Sequence, residues 1–278
     1  MTTKTVNKLV VPGATLHYEV TGSGPVLLLV AGGFTDGGIF DSVVGQLAAD
    51  YTVVTYDPRG NSRSPYDGAA VDDRVEQSAE DALAVIDAVG GGAAYVFGSS
   101  SGAVTGIELI TRWPERVRML VAHEPPVVGV LPDAETAHAF FEDVHSTFAE
   151  DGVSAALRLF AGGLGLDEDE PPAPEDLWPE YRQALERMMG NTDTFFAHKL
   201  LPFTRYRPDL AALREVAGNI VPAAGADSAE HLPARPIGVI ADAIGWPVVT
   251  FPGGHTGYAS HPVPFATLLH RLLESDQG

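Results

Sequence analysis

The serine at position 100 lies within Gly98-Ser99-Ser100-Ser101-Gly102, which places one hydroxyl between two glycines. This spacing is typical of a nucleophile on a sharp strand-to-helix turn, where the residues two before and two after it must be nearly free of side chain. Ser99 and Ser101 lack such a pair of glycines, so the pattern selects Ser100. With a base nearby, its hydroxyl could attack a carbonyl carbon and form a covalent intermediate.

The base for this hydroxyl is expected to be a histidine on a loop after the last strand. His255 lies in the glycine-rich stretch 252–257, directly after the apolar segment Pro247–Phe251. His261 follows and could border the same pocket. Other histidines lie in helical patterns, where a surface or packing role is expected: His138, His145, His198 and His270. We therefore select His255 as the base.

A carboxylate is needed to orient His255, and two candidates follow apolar segments. Glu124 and Asp227 both satisfy the chain order serine, acid, histidine. Burial of Glu124 before two prolines would be costly unless the carboxylate were paired. Asp227 could instead cap a turn or a helix. The residues alone leave both candidates open.

Attack on a carbonyl also requires donors for the negative oxygen of the intermediate. The backbone N–H that follows the nucleophile belongs to Ser101, at the start of a predicted helix. The second donor normally comes from a loop after an earlier strand, and Ala31-Gly32-Gly33-Phe34 follows the apolar Leu27–Val30. We assign the second donor to Gly33.

Composition excludes several other kinds of chemistry. The sequence contains no cysteine, so it has no disulfide, thiolate metal site or cysteine nucleophile. It contains no His-Glu-x-x-His, Gly-x-Gly-x-x-Gly or Walker A pattern, and we expect neither a metal nor a cofactor. The formal net charge of −20 disfavours nucleic acid and anionic membranes as partners.

The apolar segments are too short to span a membrane, and residues 1–10 lack the apolar core of a secretory signal. We therefore expect a soluble cytoplasmic protein, with a homodimer left open.

These residues must be positioned by a sheet, because short apolar segments alternate with helical patterns, as in β-α-β units. Strands are predicted at Lys8–Val11, Thr15–Val20, Pro25–Val30, Thr52–Tyr56, Ala94–Phe97, Val117–Ala122, Asn219–Ala224 and Pro247–Phe251. Helices are predicted at Phe40–Ala49, Asp73–Val89, Ser101–Trp113, Arg235–Ile244 and Pro264–Leu273. The first two strands are expected to form an antiparallel pair at one edge of an otherwise parallel, doubly wound sheet.

Strand patterns stop in the middle of the chain, and helical patterns replace them. We predict a helical cap at 127–210, inserted into an α/β core formed by 1–126 and 211–278. Acidic residues 167–170 and a proline-rich stretch interrupt the cap. Several aromatic residues could line a pocket, although most are expected in the core of the cap: Phe140, Phe141, Phe160, Trp178, Phe195, Phe196 and Phe203.

The sequence resembles the α/β hydrolases and, within them, the zearalenone-type lactonases. The similarity is carried by four sets of residues: 40–43, 57–64, 96–102 with 123–126, and 252–255 with 260–262. The resemblance implies an α/β-hydrolase fold. In those lactonases, the turn that carries the nucleophile (the elbow) leads into a helix, and the acid follows the next strand. The resemblance therefore implies Glu124 as the acid. Asp227 departs from their pattern. The cap shows no matching macrocycle-binding residues, so zearalenone itself is not implied as the substrate.

The expected activity is hydrolysis of a carboxylic ester or lactone of a hydrophobic small molecule through an acyl-serine intermediate. Carbon–carbon bond hydrolases and cofactor-free perhydrolases also keep the serine, so they remain alternatives. A ligand receptor with the same pocket and little turnover is another. Dehalogenases and epoxide hydrolases have aspartate at the elbow, and Ser100 disfavours both.

Overall fold

The computed structural model describes residues 3–90, 92–165, 179–229 and 231–274. The strands within these residues are β1 (Lys4–Val11), β2 (Ala14–Gly22), β3 (Val26–Val30), β4 (Thr52–Tyr56), β5 (Ala94–Ser99), β6 (Val117–His123), β7 (Ile220–Gly225) and β8 (Val249–Phe251). They form one sheet in the order β1-β2-β4-β3-β5-β6-β7-β8. All the predicted strands are present, with ends displaced by a few residues.

The sheet is mixed at one edge and parallel elsewhere. β1 pairs with β2 and β2 pairs with β4 in the antiparallel sense, whereas β4, β3, β5, β6, β7 and β8 run parallel. This confirms the expected antiparallel pair at the edge. Because parallel strands end at the same side of a sheet, the loops after β3, β5, β6, β7 and β8 meet there.

Helices follow or connect the strands as the sequence patterns predict. They are α1 (Asp41–Leu47), α2 (Val75–Ala88), α3 (Ser101–Arg112), α4 (Ala134–Asp151), α5 (Val153–Leu164), α6 (Pro179–Met189), α7 (Thr192–His198), α8 (Leu200–Thr204), α9 (Leu210–Glu215), α10 (Arg235–Ile244), α11 (Gly257–Ser260) and α12 (Pro262–Glu274). No helix in the described ranges combines the length and the apolar character needed to cross a membrane.

Alternating residues of the central strands supply two separate cores, one on each face of the sheet. Leu28 and Val30 pack in a cluster with apolar residues of α2, α3 and α10. Leu27 and Leu29 pack on the other face with apolar residues of α1 and α12. A parallel strand covered on both faces therefore requires a continuous apolar run, which explains the sequence of β3.

Helices α4 to α8 lie between β6 and β7, inside the stretch predicted as the cap. They carry an apolar cluster of their own, which includes Phe141, Val144, Ala156, Phe196 and Leu200. Several residues of these helices line a cavity together with the loops after β3 and β5. The helices therefore lie over the edge of the sheet where these strands end. The acidic stretch 167–170 and Trp178 lie outside the described residues.

Candidate active site

The turn between β5 and α3 forces Ser100 into an unusual backbone conformation. Its φ of 57° and ψ of −126° are rare for a residue with a side chain and cost about 1–3 kcal/mol. The flanking glycines are sterically required. A Cβ at Gly98 would lie 2.4 Å from the carbonyl oxygen of Gly102, and a Cβ at Gly102 would lie 2.1 Å from that of Val30. The turn thus explains why this serine has glycine on both sides.

The backbone of Ser100 is held on both sides of the bend. Its N–H donates to the carbonyl oxygen of His123, at the end of β6, over 2.9 Å. Its carbonyl oxygen accepts from Ala103 and Val104 in the first turn of α3, at 2.9 and 3.2 Å. These contacts compensate for the strain and fix the direction of the Ser100 side chain.

The structure places His255 directly against Glu124. Nδ1 of His255 lies 2.5 Å from Oε2 of Glu124, which is completely buried. The other carboxylate oxygen accepts from the Gly225 N–H at 2.8 Å and from the Ser228 hydroxyl. A buried carboxylate with this many donors is well satisfied and can hold the imidazole in one orientation.

The position of Glu124 depends on the contact between β6 and β7. Glu124 follows the last residue of β6 and has a positive φ of 51°. Its N–H donates to Ala223 of β7 over 3.1 Å. The strained backbone turns the side chain towards the loop after β8, which carries His255. Such strain at a non-glycine residue is common at functional sites.

Burial alone would raise the pKa of Glu124. The hydrogen bond from His255, the electrostatic attraction of the His255 and His123 rings and the hydrogen bond from the Ser228 hydroxyl overcome that effect and lower the pKa to about 2. The carboxylate is therefore ionised across the neutral pH range. A fixed negative charge beside Nδ1 favours a proton on that nitrogen and leaves Nε2 as the acceptor.

Asp227, the other candidate acid, makes no hydrogen bond or ion pair with His255. Its side chain is exposed and makes no hydrogen bond or ion pair with any described residue. Its neighbour Ser228 instead contributes the hydroxyl that binds Glu124. Of the two acids that the sequence left open, the structure brings only Glu124 to the histidine.

His123, the residue before Glu124, is a buried histidine. Neither ring nitrogen has a hydrogen-bond partner among the described residues, and burial lowers the pKa of the imidazole to about 4. The ring packs against Phe97, Phe251 and Phe265, and its centroid lies 6.3 Å from that of His255. His123 therefore serves as a neutral aromatic support beneath the His255–Glu124 pair.

The predicted oxyanion donors lie together, with one unexpected contact between them. Ser101 is the first residue of α3, so its N–H has no partner within the helix. The N–H of Gly33, whose φ is 57°, donates to the Ser101 side-chain hydroxyl at 2.7 Å. The predicted second donor is thus already engaged by a side chain from the elbow.

Asn61 and Asn191 hold the loop that carries Gly33. Asn61 Nδ2 donates to the carbonyl oxygens of Gly33 and Thr35, at 3.2 and 2.7 Å. Asn191, between α6 and α7, donates to the carbonyl oxygen of Phe34 at 2.8 Å. The inserted helices therefore help to fix the conformation of the predicted oxyanion loop.

A buried lysine from the insertion orients Asn61. Nζ of Lys199 donates to Oδ1 of Asn61 at 2.7 Å and to the carbonyl oxygen of Arg59 at 2.5 Å, and it lies 3.4 Å from Asp73. Burial lowers the pKa of Lys199, although the Asp73 carboxylate opposes that effect. Because the ammonium occupies Oδ1, the Asn61 NH₂ group must face the loop.

Sequence reasoning missed these supporting residues. Asn61 lies inside the 57–64 stretch that carries the family resemblance, and Lys199 is a lone charge within the apolar segment 195–203. An isolated lysine in such a segment is a signal for a buried ion pair. Nothing in the sequence alone connects it with Asn61, since the two are 138 residues apart.

Ser100 and His255 line the same cavity. Among the described residues, no aspartate, glutamate, lysine or arginine lines it. The described residues of its wall include the aromatic side chains of Phe34, Phe141, Phe160, Phe195, Phe203 and Tyr258. A cavity of this character fits an uncharged, largely apolar small molecule.

Four of the aromatic residues predicted for the pocket line this cavity: Phe141, Phe160, Phe195 and Phe203. Phe140 and Phe196 pack in the apolar cluster of the inserted helices instead. His261 does not line the cavity, and its Nδ1 lies 3.0 Å from the Ser260 hydroxyl. The expectation that His261 could border the pocket is therefore wrong, because α11 separates it from His255.

Comparison with known proteins places the chain in a family. Residues 25–162 match the family described as the alpha/beta hydrolase fold. The uncharacterized hydrolase YraK of Bacillus subtilis (strain 168) is 36% identical over 275 residues, which cover 97% of this chain and 96% of YraK. A zearalenone hydrolase of Cladophialophora bantiana is 29% identical over 262 residues, or 91% of each chain. The chain therefore belongs to the α/β-hydrolase family.

Solved structures agree with this assignment at the level of the fold. A thermophilic esterase from Thermogutta terrifontis superposes over 100% of both chains, with a TM-score of 0.75 and 18% sequence identity. The fold class expected from the sequence and the resemblance to the α/β hydrolases are both confirmed.

Proposed function

We propose that this protein is a serine hydrolase that cleaves a carboxylic ester or lactone of a hydrophobic small molecule. The observation that carries the proposal is the contact between the buried Glu124 and His255, in which Oε2 lies 2.5 Å from Nδ1. His255 lines the same cavity as Ser100, which lies on its strained turn. A carboxylate, an imidazole and a nucleophilic hydroxyl in this order are the parts of an acyl-transfer site.

In the proposed mechanism, Nε2 of His255 removes the Ser100 proton as Oγ attacks the carbonyl carbon. The electron pair of the carbonyl bond moves to oxygen, and the N–H of Ser101 at the start of α3 stabilises that charge. Collapse of the intermediate expels the alcohol, which takes the proton from His255. Water, activated by the same imidazole, then releases the acid and restores Ser100.

The wall of the cavity supports a substrate of limited polarity. Its aromatic side chains and the absence of charged groups among the described lining residues would disfavour an ionised acyl or alcohol group near the reacting bond. The name of the Cladophialophora relative, a zearalenone hydrolase, also supports an ester or lactone as the substrate class. No metal or cofactor takes part in the proposed steps.

Hydrolysis of p-nitrophenyl esters with acyl chains of increasing length tests this proposal. Wild type should hydrolyse them, with kcat/KM rising as the acyl chain lengthens to fill the apolar cavity, and Ser100→Ala should lose at least about 10³-fold in kcat. Ser99→Ala is a matched control because it removes a neighbouring hydroxyl that is buried and has no hydrogen-bond partner in the described part of the chain. Equal activity in wild type and Ser100→Ala would refute the proposal.

A further inference from the structure

The mechanism above uses the backbone N–H of Ser101 but not its side chain. Its hydroxyl oxygen accepts the Gly33 N–H at 2.7 Å. The sequence predicts that the Gly33 N–H binds the substrate oxygen directly. The hydroxyl therefore stands beside two backbone donors, the N–H of Gly33 and the N–H of its own residue.

The hydroxyl proton of Ser101 has no acceptor among the described residues, since the contact with Gly33 uses the oxygen only. Ser101 lines the aromatic cavity together with Ser100 and His255. It also lines a second cavity, with Asp73, Lys199 and Thr105 among its walls. An unengaged donor next to the nucleophile is available to a substrate oxygen.

We propose that the Ser101 hydroxyl is a catalytic oxyanion donor, which accepts the Gly33 N–H and donates its own proton in a hydrogen bond to the substrate oxygen. The inference rests on the acyl-serine mechanism proposed above. As the bond from Ser100 Oγ to the carbonyl carbon forms, the carbonyl electron pair moves to oxygen and the Ser100 proton moves to His255. The Ser101 proton stays on Ser101 throughout. Only the hydrogen bond from the Ser101 hydroxyl to the charged oxygen becomes shorter.

Two physical effects favour this arrangement. A hydroxyl that accepts one hydrogen bond becomes a better donor in another, so the Gly33 N–H polarises the Ser101 O–H. A hydroxyl that donates to a developing oxyanion forms a short, charge-assisted bond, which is stronger in the transition state than in the ground state. The loop contacts from Asn61 keep Gly33 in place for this role.

Kinetics of Ser101→Ala and Ser101→Cys test the proposal with a p-nitrophenyl butyrate substrate. Both variants should lose about 10²–10³-fold in kcat with KM changed by less than about threefold, as expected for a lost oxyanion donor. Ser101→Cys keeps the site filled but offers only a weak donor, so it separates loss of the donor from loss of packing. Ser99→Ala, on the same turn, should retain the wild-type kcat.

Inhibition by benzyl trifluoromethyl ketone separates catalysis from simple positioning, since Ser100 adds to its carbonyl and creates a stable oxyanion. Its affinity should fall in Ser101→Ala by the same factor as kcat/KM. An unchanged or higher kcat in Ser101→Ala, or an unchanged inhibitor affinity, would overturn the proposal. Failure of the proposed function has a different signature, in which wild type and Ser100→Ala are equally inactive, and that result would overturn both.

Discussion

Lys199 Nζ donates to Asn61 Oδ1 over 2.7 Å, and this contact joins the inserted helices to the loop that carries Gly33. The same amide donates to the carbonyl oxygens of Gly33 and Thr35. Through this chain of hydrogen bonds, the seating of the insertion on the core and the shape of the predicted oxyanion loop depend on one another. Asn61 and Lys199 are positioning residues, since neither lines the cavity that contains Ser100.

Substitution of Asn61 tests this dependence. Asn61→Asp replaces the donating NH₂ by an oxygen that faces two carbonyl oxygens, so the loop should move and kcat should fall at least about tenfold. KM should change much less, because the wall of the cavity is intact. Arg235→Gln is the control, since it breaks an exposed ion pair between Arg235 and Asp133, neither of which lines the cavity. Equal kcat in Asn61→Asp and wild type would contradict the positioning role.

Lys199→Met tests the energetics of the same contact. Removal of the ammonium leaves its buried carboxylate and carbonyl partners without their donor, and the free energy of unfolding should fall by about 3 kcal/mol. Urea denaturation measures the loss. A change of less than about 1 kcal/mol would show that the pair contributes little to the attachment of the insertion.

Substitution of the two candidate acids should have very different effects on kcat. Glu124→Gln keeps the shape of the side chain but removes the charge beside Nδ1 of His255, so kcat should fall by about 10²–10⁴-fold. Asp227→Asn changes an exposed side chain with no polar contact among the described residues, so kcat should stay within about twofold. Steady-state kinetics on one p-nitrophenyl ester separates the two. A larger loss in Asp227→Asn would contradict the proposed role of Glu124.

Acid should destabilise the fold in two successive pH windows. The pKa of His123 is lowered from 6.5 to about 4, so the unfolded chain binds that proton more readily and stability falls as the pH drops from 6.5 to about 4. The loss is about 3 kcal/mol at roughly 1.4 kcal/mol per pH unit. The pKa of Glu124 is lowered from 4.5 to about 2, so the stability it contributes above pH 4.5 is lost as the pH falls through that range.

His123→Phe separates these windows. Phenylalanine is aromatic like the surrounding rings and has no nitrogen to protonate, so the fall in stability between pH 6.5 and about 4 should be about 3 kcal/mol smaller than in wild type, while the loss below pH 4.5 remains. Thermal unfolding from pH 3 to pH 8 measures both. An unchanged profile between pH 4 and 6.5 would show that His123 is not the group responsible.

The aromatic wall should control preference for acyl chain length. Phe160→Ala removes a half-buried ring from the cavity, so KM for a long-chain p-nitrophenyl ester should rise about tenfold while KM for the acetate changes little. Phe148→Ala is the matched control, because Phe148 stacks on Phe196 within the insertion and does not line the cavity. A parallel change in both variants would mean that the effect is loss of packing rather than loss of a substrate contact.

Local patterns predicted most of the fold and part of the site. Apolar runs such as Val26–Val30 identify buried parallel strands, and the steric need for glycine on both sides identifies Ser100. The choice between Glu124 and Asp227 was beyond local patterns, since it depends on how β6 and β7 lie side by side. The engagement of Gly33 by Ser101 is likewise a tertiary contact, between residues 68 positions apart.

Active-site labelling tests the central claim most directly. The protein is incubated with a fluorophosphonate, and the modified peptide is located by mass spectrometry in wild type, Ser99→Ala and Ser100→Ala. We expect one adduct per chain on Ser100 in the first two proteins and none in Ser100→Ala, with labelling slowed strongly in Glu124→Gln. An adduct that persists in Ser100→Ala, or that maps to another residue in wild type, would contradict the assignment of Ser100 as the nucleophile.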